Sequence, residues 1–234
     1  STGSTGEGSS LVALRPPVDR AVLTYDDGPT PGVTDELLPL LADAGATATF
    51  FVLLTRVRAS PALFREVLAA GHEVALHGPD HLRLTSLPPD AHAARFRDAK
   101  AELEDLAGAV VRWSRPPYGA QDIASWRAAR DTGLQPVLWS VSCLDWETHP
   151  QEDYLAELRS TDPTGTVILL HDGFADDRDG VDDGPAPELD RLALTRAVLD
   201  ELASHNLAVR SVGDALPGAE PVHQPWLESL GDPR

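Results

Sequence analysis

The sequence lacks several features that would assign it to a class at once. It contains one cysteine, Cys143, so no disulfide can form within the chain. No apolar run reaches the roughly 18 residues that a membrane-spanning helix needs, and we therefore predict no membrane span. Positive charge is scarce, because 19 basic residues, among them the single lysine Lys100, stand against 37 acidic ones and the net charge is −18. This acidity argues against nucleic acid as a partner, since such binding depends largely on neutralising phosphates.

The length and the apolar content predict one folded domain with short extensions. The chain has 234 residues, of which 42% are hydrophobic, and this is enough to bury a sizeable core. The Ser- and Gly-rich start predicts a flexible segment over residues 1–15, and the proline-containing tail over residues 217–234 is expected to lie on the surface. Residues 16–216 then form the domain, which we expect to be a monomer.

Short apolar runs alternate with helical patterns along this domain. Strands are predicted at residues 21–25, 47–53, 73–76, 110–113, 136–141, 166–170 and 207–212. Helices are predicted at residues 34–44, 61–70, 90–106, 121–132, 151–158 and 190–203. The alternation indicates a parallel sheet with helices outside it, either an open doubly wound sheet or a small barrel. No glycine-rich phosphate loop follows the first strand, which disfavours a dinucleotide-binding fold.

Polar residues follow almost every predicted strand at its carboxyl end. The clusters are Asp26–Asp27, His77–His81, Arg115–Gly119, Asp145–Trp146 and His171–Asp172. Because the carboxyl ends of parallel strands share one face of the sheet, we expect these side chains to form one functional site.

The first two clusters predict a metal site. His77 and His81 are four residues apart, so both imidazoles project to one side if a helical turn begins at Pro79. Together with Asp27 they make a three-ligand set with room for water, which is typical of catalytic zinc. Asp26 and Asp27 leave the strand in different directions, so one is free to bind a cation while the other handles protons. Taken alone, the two carboxylates would indicate only a turn, and the two histidines only a surface pair.

The remaining clusters predict partners for proton transfer. His171 follows a strand that is already apolar, and it is suited to act as a general acid if a carboxylate holds its pKa high. Asp145 is one candidate for that carboxylate, and the adjacent Asp172 is the alternative. Arg115 is placed to neutralise and orient Asp26. The alternative is that this arginine forms a surface salt bridge that contributes little to stability.

Five short segments then occur in a fixed order along the chain. They are TYDDGPT at residues 24–30, HGPDH at 77–81, RPPYG at 115–119, Asp145-Trp146 within SVSCLDW, and Leu169-Leu170-His171. Together they resemble the motifs of the polysaccharide deacetylases, the NodB homology or carbohydrate esterase family 4 group. The resemblance spans roughly residues 21–212. It implies an α/β fold, a distorted (β/α) barrel with about seven parallel strands, for the catalytic domain at residues 16–216.

The resemblance also implies a role for each site residue. A divalent metal, expected to be zinc with cobalt or nickel as alternatives, is held by Asp27, His77 and His81. Asp26 is the general base that activates the attacking water, and His171 is the general acid that protonates the leaving amine. The resemblance further implies that Arg115 positions Asp26 and that Asp145 tunes His171. The backbone N–H of Tyr118 is expected to help hold the oxyanion. The expected substrate-binding residues are Trp146, Leu169 and Pro117, together with Tyr118.

The implied activity is the removal of N-acetyl groups from amino sugars in a glycan, either chitin-like or peptidoglycan. An acetylated carbohydrate is therefore the expected partner. We expect an extracellular or cell-wall location, with the cytoplasm as the alternative. Three further functions stay open: an O-acetyl ester hydrolase on acetylxylan, a small-molecule amidase, and a sugar-binding module without activity. The last is disfavoured because a binding module needs neither a general acid nor a general base.

Two positions depart from the pattern of the resembled family. Gly78 stands where Ser or Thr usually follows the first histidine, and we expect Pro79 to stiffen the loop in place of that hydroxyl. Ser142 stands where an acidic residue is common. The acidic loop at residues 176–188 fails the spacing of a calcium-binding EF-hand, so we expect it to be solvated or to flank the substrate. Trp226 in the tail is expected to cover a surface or a sugar.

Overall fold

The computed structural model describes residues 6–228. Its strands are β1 (Ser9–Arg15), β2 (Arg20–Asp26), β3 (Thr49–Leu53), β4 (Glu73–Gly78), β5 (Trp113–Ser114), β6 (Gln135–Pro136), β7 (Val141–Ser142), β8 (Val167–His171), β9 (Ala208–Arg210) and β10 (Glu220–Pro225). Its helices are α1 (Thr34–Asp43), α2 (Leu54–Ala59), α3 (Pro61–Ala69), α4 (Ala91–Ala107), α5 (Ile123–Asp131), α6 (Ala156–Ser160), α7 (Arg191–Ser204) and α8 (Val212–Ala215). None of the helices within this range is long and apolar enough to cross a membrane.

One curved parallel sheet dominates the architecture. Seven of its strands follow the spatial order β6-β5-β4-β3-β2-β8-β7, and the short strand β9 pairs with the amino-terminal half of β2. Every pairing in this sheet is parallel. The predicted distorted barrel of about seven parallel strands is confirmed. Because all these strands run in the same direction, their carboxyl ends lie along one edge of the sheet, and the polar clusters that follow the strands share that edge.

The two faces of the sheet pack against two different apolar clusters. Leu23 of β2 and Phe50 of β3 belong to the cluster beneath the helices, whereas Val22 and Phe51 belong to the cluster inside the curve. Successive residues of a strand point to opposite faces, so an apolar run buried on both sides supplies both clusters. This explains why the middle positions of the central strands are mostly apolar.

The chain ends differ from the expected flexible segment and surface tail. Strand β1 pairs antiparallel with β10, although the two strands lie at opposite ends of the chain. Leu11 and Leu14 of β1 are each 2% exposed and complete the cluster inside the curve. The backbone N–H of Leu138 donates to the Leu11 carbonyl at 2.8 Å, so β1 is also tied to the main sheet. The prediction of a flexible start missed the apolar residues that follow the Ser- and Gly-rich stretch. The outermost residues of both predicted extensions, 1–5 and 229–234, lie outside the described residues.

Several predicted elements have different bounds in the structure. The strand predicted at 136–141 is two short strands, β6 and β7, which pair with different neighbours. The strand predicted at 110–113 reduces to β5 at its end, and the helix predicted at 151–158 is a 3-10 turn at Asp153–Leu155 followed by α6. In each case the local apolar pattern is right, but the tertiary pairing sets where regular structure begins and ends.

The pairing of the chain ends predicts an unequal effect of two substitutions in β1. Leu11→Ala removes buried side-chain volume, so we expect it to lower the free energy of unfolding by about 2–5 kcal/mol. Arg15→Ala, at an exposed ion pair with Glu220, is the matched control and should change it by less than about 0.5 kcal/mol. Urea unfolding followed by circular dichroism measures both. If both substitutions left the free energy of unfolding nearly unchanged, β1 would not be part of the folded unit.

Candidate active site

The catalytic-type residues of the separate motifs meet at the carboxyl edge of the sheet. A cleft of about 1020 Å³ opens there, and its walls include Asp26, Asp27, His77, His81 and His171. Asp26 and His171 lie opposite each other in the pairing of β2 with β8. The parallel register thus brings together residues that are far apart in the sequence.

Three buried side chains converge as the metal-site prediction requires. Oδ1 of Asp27 lies 3.3 Å from Nε2 of His77 and 3.3 Å from Nε2 of His81. The exposures of these residues are only 4%, 4% and 6%. Oδ1 of Asp27 has no hydrogen-bond partner among the described residues. Such an unpartnered buried oxygen, faced by two imidazole nitrogens, fits a cation better than it fits packing alone.

The outer contacts of the two histidines fix their rings in an orientation that suits metal binding. Nδ1–H of His77 donates to the carbonyl of Arg115 at 2.9 Å, which leaves the lone pair of Nε2 facing Asp27. The backbone N–H of His81 donates to the carbonyl of Asp179 at 2.9 Å and fixes the loop that carries this ring. Burial lowers the pKa of His81, which favours the neutral form that binds metals.

The charge state of the third ligand also suits a cation. Burial raises the pKa of Asp27, but His81, His77 and His171 outweigh burial and hold this pKa below its usual value. The carboxylate is therefore ionised at neutral pH. Its backbone adopts a left-handed conformation with φ 74°.

Arg115 fixes the neighbouring carboxylate. Its Nη1 donates to Oδ1 of Asp26 at 2.7 Å and to Oγ1 of Thr24 at 2.8 Å. Its Nε donates to the carbonyl of Val137 at 2.9 Å, and its guanidinium lies 4.1 Å from the ring centre of Phe51. The side chain is completely buried, so the alternative of a weak surface salt bridge does not describe this contact.

Asp145, and not Asp172, is the carboxylate that faces His171. Nδ1–H of His171 donates to Oδ1 of Asp145 at 2.7 Å, and Nη1 of Arg191 donates to Oδ2 at 2.9 Å. Oδ2 of Asp172 instead accepts from Oγ1 of Thr34 at 2.6 Å. Burial lowers the pKa of His171, but Asp145, assisted by the nearby carboxylates, outweighs burial and raises this pKa to about 9. His171 is therefore protonated at neutral pH.

The predicted substrate-binding residues divide into those in the cleft and one outside it. Tyr118, Trp146 and Leu169 line the cleft, and the ring of Trp146 packs edge-on to His171 with centres 5.5 Å apart. Pro117 is buried and is not among the described lining residues. The role of the Tyr118 backbone N–H toward an oxyanion stays a prediction.

The acidic loop is part of the site and not merely solvated. Asp179 is fully buried and accepts from Nη2 of Arg56 at 2.5 Å, in addition to holding His81 through its carbonyl. Asp183 accepts from the hydroxyl of Tyr118 at 2.6 Å, and its Oδ2 lies 3.7 Å from Nδ1 of His81. Sequence reasoning missed both residues because nothing distinguishes them locally from the other acids of the loop.

The loop between His77 and His81 is braced without a hydroxyl at position 78. A Cβ on Gly78 would lie 2.4 Å from the backbone oxygen of Asp80, so the chain folds into the space that a side chain would occupy. Oδ1 of Asp80 accepts from the backbone N–H of Leu82 at 3.0 Å, and its carboxylate pairs with Arg95. These contacts brace the loop; the contribution of Pro79 itself stays a prediction.

The structure combines a barrel-like parallel sheet with a buried cluster of two histidines and one carboxylate, and a second carboxylate and a third histidine lie in the same cleft. This combination is typical of metal-dependent hydrolases. Comparison with known sequences then identifies the family. Residues 14–137 match the family model described as polysaccharide deacetylase. The chain belongs to the polysaccharide deacetylase family.

Individual relatives agree with this assignment. A chitooligosaccharide deacetylase of Azorhizobium caulinodans is 32% identical over 189 residues, which cover 80% of this chain and 90% of that protein. A peptidoglycan-N-acetylglucosamine deacetylase of Bacillus cereus is 34% identical over 164 residues, which cover 66% of this chain and 73% of that protein. The structure of a family 4 carbohydrate esterase from Streptomyces lividans in complex with acetate superposes with a TM-score of 0.69 at 26% identity, covering 82% of this chain and 91% of that one.

The tight loop at Gly78 predicts the effect of restoring a serine there. Gly78→Ser places Cβ against a backbone oxygen, so the loop must shift and carry His81 with it. We expect zinc affinity, measured by isothermal titration, to fall about tenfold or more. Gly6→Ser is the control, since a Cβ at Gly6 meets only Oγ of Ser9 at 3.5 Å. A rise of orders of magnitude in affinity would show that the missing hydroxyl had weakened the site.

Proposed function

We propose that the protein hydrolyses the N-acetyl groups of N-acetylglucosamine residues in a chitin-like or peptidoglycan glycan. The observation that carries the proposal is the buried cluster of Asp27, His77 and His81 with Asp26 beside it and His171 across the strand pairing. The two named deacetylase relatives support an amino-sugar substrate. The Streptomyces lividans esterase forms a complex with acetate, which is the acid that the proposed reaction would release.

Zinc is the cation we propose for the cluster, with cobalt or nickel as alternatives. Two neutral imidazoles and one carboxylate are a common ligand set of catalytic zinc, and this set leaves coordination positions for water and substrate. When bound, such a cation polarises the acyl carbonyl and makes a water molecule more acidic.

Asp26 is the proposed general base. Arg115 occupies Oδ1 of Asp26, so Oδ2 is the oxygen left to accept a proton from the attacking water. That oxygen lies 3.9 Å from Nε2 of the ligand His77, which places the base beside the metal cluster and not within it. The buried arginine keeps this orientation because its remaining donors are held by Thr24 and backbone carbonyls.

His171 is the proposed general acid. Because Nδ1 is held by Asp145, Nε2 is the ring atom available to give its proton to the departing nitrogen. An amide nitrogen leaves only after it is protonated, so a histidine that carries its proton at neutral pH suits an N-acetyl substrate. This favours deacetylation of an amino sugar over O-acetyl ester hydrolysis on acetylxylan.

A sugar-binding module and a small-molecule amidase are less well supported. A sugar-binding module without activity does not require both the oriented Asp26 and the protonated His171. A small-molecule amidase would use the same residues, and the glycan-specific names of the relatives favour the polysaccharide. Because chitin-like and peptidoglycan chains lie outside the cytoplasm, we propose an extracellular or cell-wall location. A monomeric state stays a prediction.

Two adjacent carboxylates provide the test of the proposed function. Asp27→Asn should weaken zinc binding by at least about 100-fold, because it neutralises a ligand. Asp26→Asn should leave zinc binding within about tenfold and lower kcat at least about 100-fold, because it removes only the base. The measurements are zinc titration and acetate release from chitooligosaccharides and peptidoglycan.

Chelation provides the companion test. Acetate release by the native protein should stop with chelator and return with zinc. Release that survives complete metal removal, or an absence of release from every acetylated glycan by zinc-loaded protein, would contradict the proposed function.

The raised pKa of His171 predicts the alkaline limb of the pH profile. The general acid carries its proton below its pKa, so kcat should fall as the pH rises through about 9. Asp145→Asn removes the main group that raises this pKa, and the limb should move about 1–3 pH units lower. Asp153→Asn, an exposed carboxylate on the nearby 3-10 turn, is the control and should leave the limb in place. An unchanged limb in Asp145→Asn would mean that another group limits the reaction.

A further inference from the structure

The cleft extends well beyond the space that an acetyl group needs. Its volume is about 1020 Å³, and its wall includes a set of residues apart from the catalytic ones. Members of this set are Arg83, Trp139, Pro225, Trp226, Leu227 and Glu228. Four of them come from the carboxyl-terminal part of β10 and the residues after it, which none of the five motifs includes.

Trp226 is rigidly held in this wall. Its backbone N–H donates to the Gly8 carbonyl at 3.1 Å, and its carbonyl accepts from Nε2 of Gln121 at 2.7 Å. Its indole N–H donates to the Gly119 carbonyl at 3.2 Å. The indole donor is already satisfied within the protein, so what the side chain offers to the cleft is its apolar ring.

A second tryptophan extends this apolar surface. The rings of Trp139 and Trp226 pack edge-to-face with centres 5.1 Å apart at 61°. A Cβ on Gly119 would lie 2.8 Å from the ring of Trp139, so the absence of a side chain there lets the indole lie against the backbone. Both tryptophans are half-buried and line the cleft.

The aromatic pair adjoins the metal cluster through one short stretch of chain. Gly119, which accepts from Trp226, follows Tyr118, and the ring of Tyr118 packs edge-on to His81 with centres 4.4 Å apart. The guanidinium of Arg115, which holds Asp26, also lies 5.7 Å from the ring centre of Trp139. The pair therefore borders the catalytic residues.

Charged and hydroxyl groups edge the aromatic surface. Glu228 accepts from Nη1 of Arg83 at 2.5 Å and from the hydroxyl of Thr85. The guanidinium of Arg83 also lies 4.5 Å from the ring centre of Tyr118. A sugar ring has apolar C–H faces and a belt of hydroxyl and amide groups, so an aromatic surface with a polar edge matches both.

We propose that Trp226 and Trp139 form a second sugar-binding subsite, which takes the residue next to the one being deacetylated in an N-acetylglucosamine chain. The proposal rests on the proposed function for the identity of the glycan. It assigns a substrate role to a short stretch near the end of the described chain: β10 pairs with β1, and residues 225–228 complete the wall of the binding cleft. It also makes the enzyme prefer oligomers long enough to reach both subsites.

Direct binding tests the subsite independently of catalysis. The probe is the N-acetylglucosamine hexamer, titrated by calorimetry against zinc-loaded protein. Every protein compared in this titration carries Asp26→Asn, so that the probe is bound but not hydrolysed. Trp226→Ala should raise Kd about tenfold, whereas Trp226→Phe, which keeps a ring, should stay within about threefold. Gln224→Ala, at an exposed position of β10 away from the cleft wall, is the matched control and should bind like the native protein. Equal Kd values for native protein and Trp226→Ala would overturn the proposal, whatever the activity of the protein.

Chain-length kinetics then places the subsite. Trp226→Ala should raise KM for the hexamer about tenfold with kcat nearly unchanged, and should barely affect the shortest substrate that the native protein accepts. An equal loss on substrates of every length would mean that Trp226 acts at the catalytic position, and would also overturn the proposal. Trp226→Leu keeps the apolar volume without the ring, and it serves as the test variant if the alanine variant unfolds. Failure of the native protein to release acetate would instead count against the proposed function, while the binding titration still decides the subsite.

Discussion

The buried carboxylate of Asp27 between two imidazoles is the constraint on which the site depends. Burying an ionised carboxylate is costly unless opposite charge or ligands compensate for it, and the left-handed backbone at this residue adds strain. The surrounding fold accommodates both. A Cβ on Gly173 would lie 2.5 Å from the Asp27 carbonyl, so only a residue without a side chain fits against this turn. A cation held by the cluster would offset the cost of burying this carboxylate, and the two histidine rings face the position where such a cation would lie.

The groups proposed to transfer protons are fixed by the same kind of contact. Asp26 and Asp145 are both buried, and each is held by an arginine, Arg115 in one case and Arg191 in the other. A buried charge with a fixed partner cannot rotate or exchange its hydrogen bonds freely, so its orientation is set before substrate arrives. Such buried ion pairs fix the orientation of the carboxylates more than they stabilise the fold. Under the proposed function, these fixed orientations allow a base and an acid to keep distinct roles in one cleft.

The sequence predicted much of this because the relevant signals are local. Polar residues at strand ends mark the functional edge of a parallel sheet, and the five motifs lie at such ends. The positions of Asp27, His77 and His81 at this edge could therefore be predicted from short stretches of sequence. The pairing of β1 with β10 joins segments about 210 residues apart, and no local pattern registers such a partner. The buried role of Asp179 and the meeting of Trp139 with Trp226 likewise arise only from tertiary packing. Sequence reasoning predicts which residues do chemistry more readily than which residues shape the cleft around it.

X-ray absorption at the zinc edge, on protein loaded with one equivalent of zinc, tests the central claim most directly. The account predicts scattering from two imidazoles and from oxygen ligands, and the loss of one imidazole signal in His81→Ala. A sulfur ligand from Cys143, or a spectrum without imidazole that is unchanged in that variant, would contradict it.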